Sequence, residues 1–127
     1  MKQIELTYEI QAPLAAVWQA FVDPEQIDRW GGGPAEMDAK VGTAFSLWGG
    51  EIHGTNTAVE VEKKLVQDWY SGKEWSAPSH VAFSFESKGE GSIVRLLHTD
   101  VPSSEVDDIT QGWEEFYLGP IQEYLED

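Results

Sequence analysis

Three histidines, many carboxylates and a glycine-rich stretch are the parts of this chain able to do chemistry. Their spacing decides which chemistry is open to them. His98 lies in "SIVRLLHTDV", where alternation places it on one strand face with Val94 and Leu96. A histidine on such a face either orients a ligand in an apolar cavity or is a buried side chain hydrogen-bonded to a neighbour, the more general outcome. Glu51 and His53 share a strand face two residues apart, but His53, His80 and His98 fall on different strands. No H-x-x-x-H or HExxH spacing occurs, so no metal site is expected. G-x-S-x-G is absent as well. The pairs Asp107-Asp108 and Glu114-Glu115 read as a solvated helix side, where repulsion rather than acid–base work is expected.

The stretch "SLWGGEIHG", with "RWGGGP" upstream, raises the question of a phosphate loop. Such a loop leads from a strand through glycines into a helix N-terminus, usually with a lysine. Here a second strand pattern follows and no "GK[ST]" is present, so Gly49-Gly50 is predicted to be a two-residue hairpin turn. The register then pairs Leu47 with Ile52 and Phe45 with Gly54 on one face, and Trp48 with Glu51 on the other. Trp48 is expected to point outward at the hairpin tip, where an exposed tryptophan anchors a protein contact. No cofactor motif is present.

A chain of 127 residues with 41% hydrophobic and 12% aromatic residues predicts a single globular domain, 1–127. No apolar run approaches the roughly 18 residues of a membrane span. The N-terminus enters an alternating pattern without a signal-peptide core. Cysteine is absent, which excludes disulfides and thiol nucleophiles, and a cytoplasmic location is expected. Eight Lys and Arg against 23 Asp and Glu give a net charge of −15. That surface repels phosphate backbones and anionic lipid, so neither nucleic acid nor membrane is an expected partner. No Lys or Arg follows Arg95. The acidic remainder reads as a solvated face or a salt adaptation, or else as a docking face for a basic partner.

The elements that position these residues follow from periodicity. "QIELTYEI" alternates as a half-buried strand, and "APLAAVWQAFVD" then carries Val17, Trp18 and Phe21 at helical spacing. Asp23 and Pro24 open a second short helix, "DPEQIDRW", which the following glycines end. From Ala35 to Asp100 the pattern is strands and turns, with "HVAFSFES" and "SIVRLLHTDV" joined around "KGEG". After Pro102, Ser103 or Ser104 is placed to cap a last helix reaching the C-terminus, with a kink near Pro120. The predicted architecture is α+β: a curved antiparallel sheet, two short helices after the first strand, and one long C-terminal helix in the sheet's concavity. Trp30, Trp69, Trp75, Phe83 and Phe85 would face Trp113, Phe116 and Tyr117 of that helix. Such aromatic stripes are usually core.

The segments "IQAPLAAVWQAFVDPEQIDRW", "GTAFSLWGGEIHG", "KKLVQDWYSGKEW", "LLHTDVP" and "QGWEEFY" resemble, in order and spacing, the helix-grip (START-like, Bet v 1-like, SRPBCC) superfamily. Within it they resemble the domain named after the activator of heat shock protein 90 ATPase. The resemblance implies the helix-grip fold. It also implies that the space between sheet and helix, which in this superfamily often holds lipids, hormones or polyketides, is a ligand cavity. Trp69, Trp75, Phe83, Phe85, His98, Trp113, Phe116 and Tyr117 are the candidate binding residues. The resemblance further offers a co-chaperone-type interaction module of the stress response, meeting a chaperone-type protein through Trp48, Glu51, Asp107, Asp108, Glu114 and Glu115. The co-chaperone has an additional N-terminal domain that residues 1–127 do not include, and basic residues early in the last helix where this chain has Asp108 and Thr110. Both differences turn the expectation from ATPase activation towards free-standing relatives. The first expectation is therefore a non-enzymatic module, monomeric by default, that binds an apolar small molecule. The alternatives are the co-chaperone role and an enzyme acting on a hydrophobic substrate in the same cavity.

Overall fold

The alternating N-terminal run forms β1 (Lys2–Ile10), with Ile4 and Ile10 buried and the residues between them turning out or half in. Residues 2–71 and 78–126 are described by a computed structural model. Two short helices follow, α1 (Leu14–Val22) and α2 (Pro24–Trp30). Asp23 caps α2 as expected, its carboxylate accepting the Glu25 N–H at 3.0 Å with Pro24 in the first position. Gly31, at φ 107°, closes it in the left-handed conformation.

The remaining strands are β2 (Ala44–Leu47), β3 (Ile52–Glu60), β4 (Lys64–Ser71), β5 (Ser79–Lys88) and β6 (Gly91–Val101). They form one curved, antiparallel six-stranded sheet in the order β1-β6-β5-β4-β3-β2. Between β5 and β6 the chain turns on Gly89-Glu90, closed by the Lys88–Gly91 pair. The β2–β3 register is the expected one, with Phe45 opposite Gly54 and Leu47 opposite Ile52. A Cβ on Gly54 would lie 1.8 Å from the Asp68 carbonyl oxygen and 3.1 Å from the Phe45 ring, so only glycine fits there.

The turn itself differs from the expectation. The β2–β3 ladder stops at Leu47–Ile52, so Trp48–Glu51 form a four-residue loop with a short 3-10 turn at Trp48–Gly50, in which the Glu51 N–H bonds the Trp48 carbonyl at 3.4 Å. Trp48, Gly49 and Gly50 all take positive φ, at 50°, 67° and 100°. For tryptophan that conformation costs of order 1–3 kcal/mol. It is held because the indole N–H donates to the Gly31 carbonyl at 2.8 Å and the ring packs on Trp30 and Tyr117. Trp48 thus turns inward and half-buried, correcting the outward orientation read from the hairpin pattern.

The C-terminal helix covers 24 residues. It starts with a 3-10 turn at Ser103–Glu105 and continues through α3 (Val106–Gly112), a π-helical stretch (Trp113–Leu118) and α4 (Gly119–Glu126). Neither Ser103 nor Ser104 caps it; the Glu105 N–H bonds the Pro102 carbonyl at 2.9 Å within the entry turn instead. The disruption expected near Pro120 takes the form of the π-helical stretch before it, which accommodates the missing N–H and the ring. Two ties fasten the end of the helix to the last residues of the first strand and the one that follows it. The Gln122 side chain donates to the Glu9 carbonyl at 2.8 Å, and the Gln11 N–H donates to the Glu126 carboxylate at 3.0 Å.

The core lies between the concave sheet face and the helices. Phe21 of α1 meets Phe83 and Phe85 edge-on at 4.9 and 5.0 Å. Each such fully buried side chain contributes roughly 1.5–3 kcal/mol. No helix among the described residues is long and apolar enough to cross a membrane.

Candidate functional site

Helical spacing brings Asp108, Ile109, Gly112, Trp113, Phe116 and Tyr117 onto one side of the C-terminal helix. Opposite them lie the Trp48–Glu51 loop, Ile52 at the start of β3 and Trp69 of β4. Between the two sides is a pocket of about 470 Å³. Its inner wall is aromatic. Trp69 and Trp113 stack at 4.7 Å, Trp113 and Tyr117 meet at 4.8 Å, and Trp48 lies edge-on to Tyr117 at 6.1 Å. Phe116, 60% exposed, stands at the mouth with the exposed carboxylates Glu51 and Asp108.

The walls are set by buried hydrogen bonds. The Trp69 N–H donates to Gln67 Oε1 at 2.8 Å, and the Gln67 amide donates to Asn56 Oδ1 at 2.9 Å. The Asn56 amide in turn donates to the Asp38 carbonyl at 2.7 Å. On the other side of the stack, Trp113 Nε1 donates to His98 Nδ1 at 3.0 Å. An acceptor at Nδ1 assigns the proton to Nε2, which donates to Ser79 Oγ at 2.7 Å, and Ser79 donates onward to the Trp69 carbonyl at 3.2 Å. His98 is 1% exposed and neutral; burial, with a smaller contribution from the charge of His80, lowers its pKa to about 4.

The expected binding residues therefore separate. Trp69, Trp113 and Tyr117 line the pocket, and Phe116 guards it. His98 does not reach the pocket but sits behind Trp113, where both ring nitrogens are engaged. Phe83 backs Trp113 and Tyr117, at 5.6 and 5.7 Å, and Phe85 belongs to the core around Trp18 and Phe21. Trp75 lies outside the described residues. The expected interaction residues separate too. Trp48, Glu51 and Asp108 border the pocket, whereas Asp107, Glu114 and Glu115 are exposed on the helix, Glu115 accepting from Gln111 at 2.8 Å. His53 stacks on Tyr70, and His80 is held between Asp68 and Asp100. Among the described residues, no three His, Asp or Glu side chains converge as metal ligands.

One polar atom stands apart. The Tyr117 hydroxyl is buried without a hydrogen-bond partner among the described residues, and burial pushes its pKa well above the usual tyrosine value. An unsatisfied buried hydroxyl costs about 1–3 kcal/mol. Replacing Tyr117 by phenylalanine is expected to raise unfolding free energy by up to about that amount in urea titration. An unchanged or lower stability would mean that the hydroxyl is satisfied in solution.

Comparison with known proteins agrees with this architecture. The family profile described as "Activator of Hsp90 ATPase homolog 1-like protein" matches residues 11–126. An activator of 90 kDa heat shock protein ATPase homolog from Dictyostelium discoideum is 27% identical over 124 residues, which is 95% of this chain and 32% of that protein. An uncharacterized Schizosaccharomyces pombe protein is 27% identical over 94% of this chain and 36% of its own length. The chain thus spans about a third of the curated relatives it matches. Among solved structures, an HSP90 activator from Plasmodium falciparum superposes with a TM-score of 0.90 at 29% identity, over 98% of this chain and 96% of that one. The Aha1 dimer from Colwellia psychrerythraea, 17% identical, shares the fold with a TM-score of 0.85 over 99% and 97% of the two chains. With a helix-grip architecture throughout and a profile match over nearly its whole length, the chain belongs to the family of Activator of Hsp90 ATPase homolog 1-like proteins.

Proposed function

We propose that this domain is a non-enzymatic binding module that holds an apolar small molecule between the Trp48–Glu51 loop and the C-terminal helix. The observation that carries the reading is the pocket. Its volume of about 470 Å³ suits a small organic molecule, and its walls are aromatic rings held in place by buried hydrogen bonds. Walls ordered in advance reduce the entropy that a ligand must overcome. For the enzymatic alternative His98 is not available as the acid or base, being neutral, engaged at both nitrogens and outside the pocket. Titration with a neutral solvatochromic dye such as Nile red is the test. Saturation at one dye per chain with quenching of tryptophan emission is expected; a signal that never saturates would overturn the reading.

A second reading has its own support. The D. discoideum and P. falciparum relatives are described as an ATPase activator homolog and an HSP90 activator. Phe116 is exposed on the same helix as the exposed acidic residues Asp107, Glu114 and Glu115, and both features suit a basic protein partner. Such docking would weaken with salt and with charge reversal at Glu114 and Glu115, whereas ligand uptake would change little.

A further inference from the structure

We propose that the pocket's ligand is a hydrophobic amine, with an apolar body among the tryptophans and a protonated nitrogen at the mouth beside Glu51 and Asp108. The proposal rests on the reading that the pocket takes an apolar small molecule, and adds the ligand's charge. Glu51 comes from the loop and Asp108 from the helix, so carboxylates border the pocket from both sides. Both are exposed, and neither is in an ion pair among the described residues. Among the described residues, no Lys, Arg or His lines the pocket to offset them.

An ammonium group at that mouth meets two carboxylates and the faces of aromatic rings, which attract cations through their quadrupoles. A carboxylate ligand would instead be repelled by both acids. A neutral ligand would gain nothing there. The chain's net charge of −15 adds a long-range field that concentrates cations near the surface.

A matched series tests the charge. 4-Phenylbutylamine, 4-phenylbutanol and 4-phenylbutyrate share one apolar body and differ only in the end group. Each is titrated against the Nile red complex at fixed ionic strength. The amine is expected to displace the dye at about tenfold lower concentration than the alcohol, and the acid to be the weakest. In the double variant Glu51→Gln, Asp108→Asn, both sites being exposed, amine and alcohol are expected to converge. Equal displacement by amine and alcohol overturns the inference and leaves the apolar-pocket reading standing. So does an amine preference that survives the double variant, because it then comes from the general field. A chain that binds neither the dye nor any of the three compounds overturns both.

Discussion

Gly112→Leu is expected to abolish dye binding while the protein stays folded. Gly112 lies in the pocket wall, at the junction of α3 and the π-helical stretch, with φ −60° and ψ −40°. Those angles suit any residue, and a Cβ there meets nothing within 4 Å. A leucine side chain therefore projects into the pocket without displacing the backbone. Glycine inside a helix costs roughly 0.5–1 kcal/mol relative to alanine, so stability should hold or rise slightly. The expected results are an unchanged circular dichroism spectrum, a thermal midpoint at or above that of the unaltered chain, and at least a hundredfold weaker dye binding. Binding that persists would place the ligand elsewhere. Trp113→Ala is less informative. Trp113 is 2% exposed and bonds His98, so its loss would cost about 3–5 kcal/mol and remove the core with the pocket.

Acid is expected to loosen the domain through His98. In the unfolded chain its imidazole takes up a proton near pH 6.5; in the folded chain burial delays this to about pH 4. The unfolded state thus binds more protons between those values. The stability that the neutral ring supports is complete above pH 6.5 and lost progressively as pH falls towards 4. Fully developed, the loss is worth about 3 kcal/mol. Protonation would also place a donor at Nδ1, against the Trp113 N–H, and so weaken a pocket wall. Relief of repulsion among the many carboxylates acts in the opposite direction, so the comparison must be internal. Urea unfolding of the unaltered chain and of His98→Gln between pH 7.5 and 4.5 isolates the effect. The stability advantage of the unaltered chain should shrink by about 2–3 kcal/mol over that range. A difference independent of pH would mean that His98 titrates normally in the folded protein.

Much of the fold was legible in local pattern. Alternation in β1, the Asp23-Pro24 helix start and the Phe45–Gly54 register each follow from a short-range rule that tertiary structure did not override. The "KGEG" turn and the Gly49-Gly50 turn look alike in sequence, yet only in the first do the residues flanking the two turn residues join the strand ladder. What separates them is Trp48, which takes a positive φ because its indole finds the Gly31 carbonyl, 17 residues away in the chain. That long-range bond moves Trp48 and Glu51 from an expected contact tip to the border of the pocket. The Asn56–Gln67–Trp69 chain went unrecognised for a similar reason. Asn56 and Gln67 read as ordinary polar strand positions until the β3–β4 register sets them opposite each other. His98 was legible as a buried histidine, but its bond to Trp113 joins two elements whose approach no spacing rule gives. Phe116 keeps the helical rhythm of its neighbours and still faces solvent, within the π-helical stretch.

Native mass spectrometry of the protein purified from its own source tests the binding account most directly. The account predicts a reproducible extra mass of a few hundred daltons, about what a pocket of this size holds, released on denaturation and absent from Gly112→Leu. The bare chain mass in repeated preparations, unchanged when extracts of the source are added back, would contradict it.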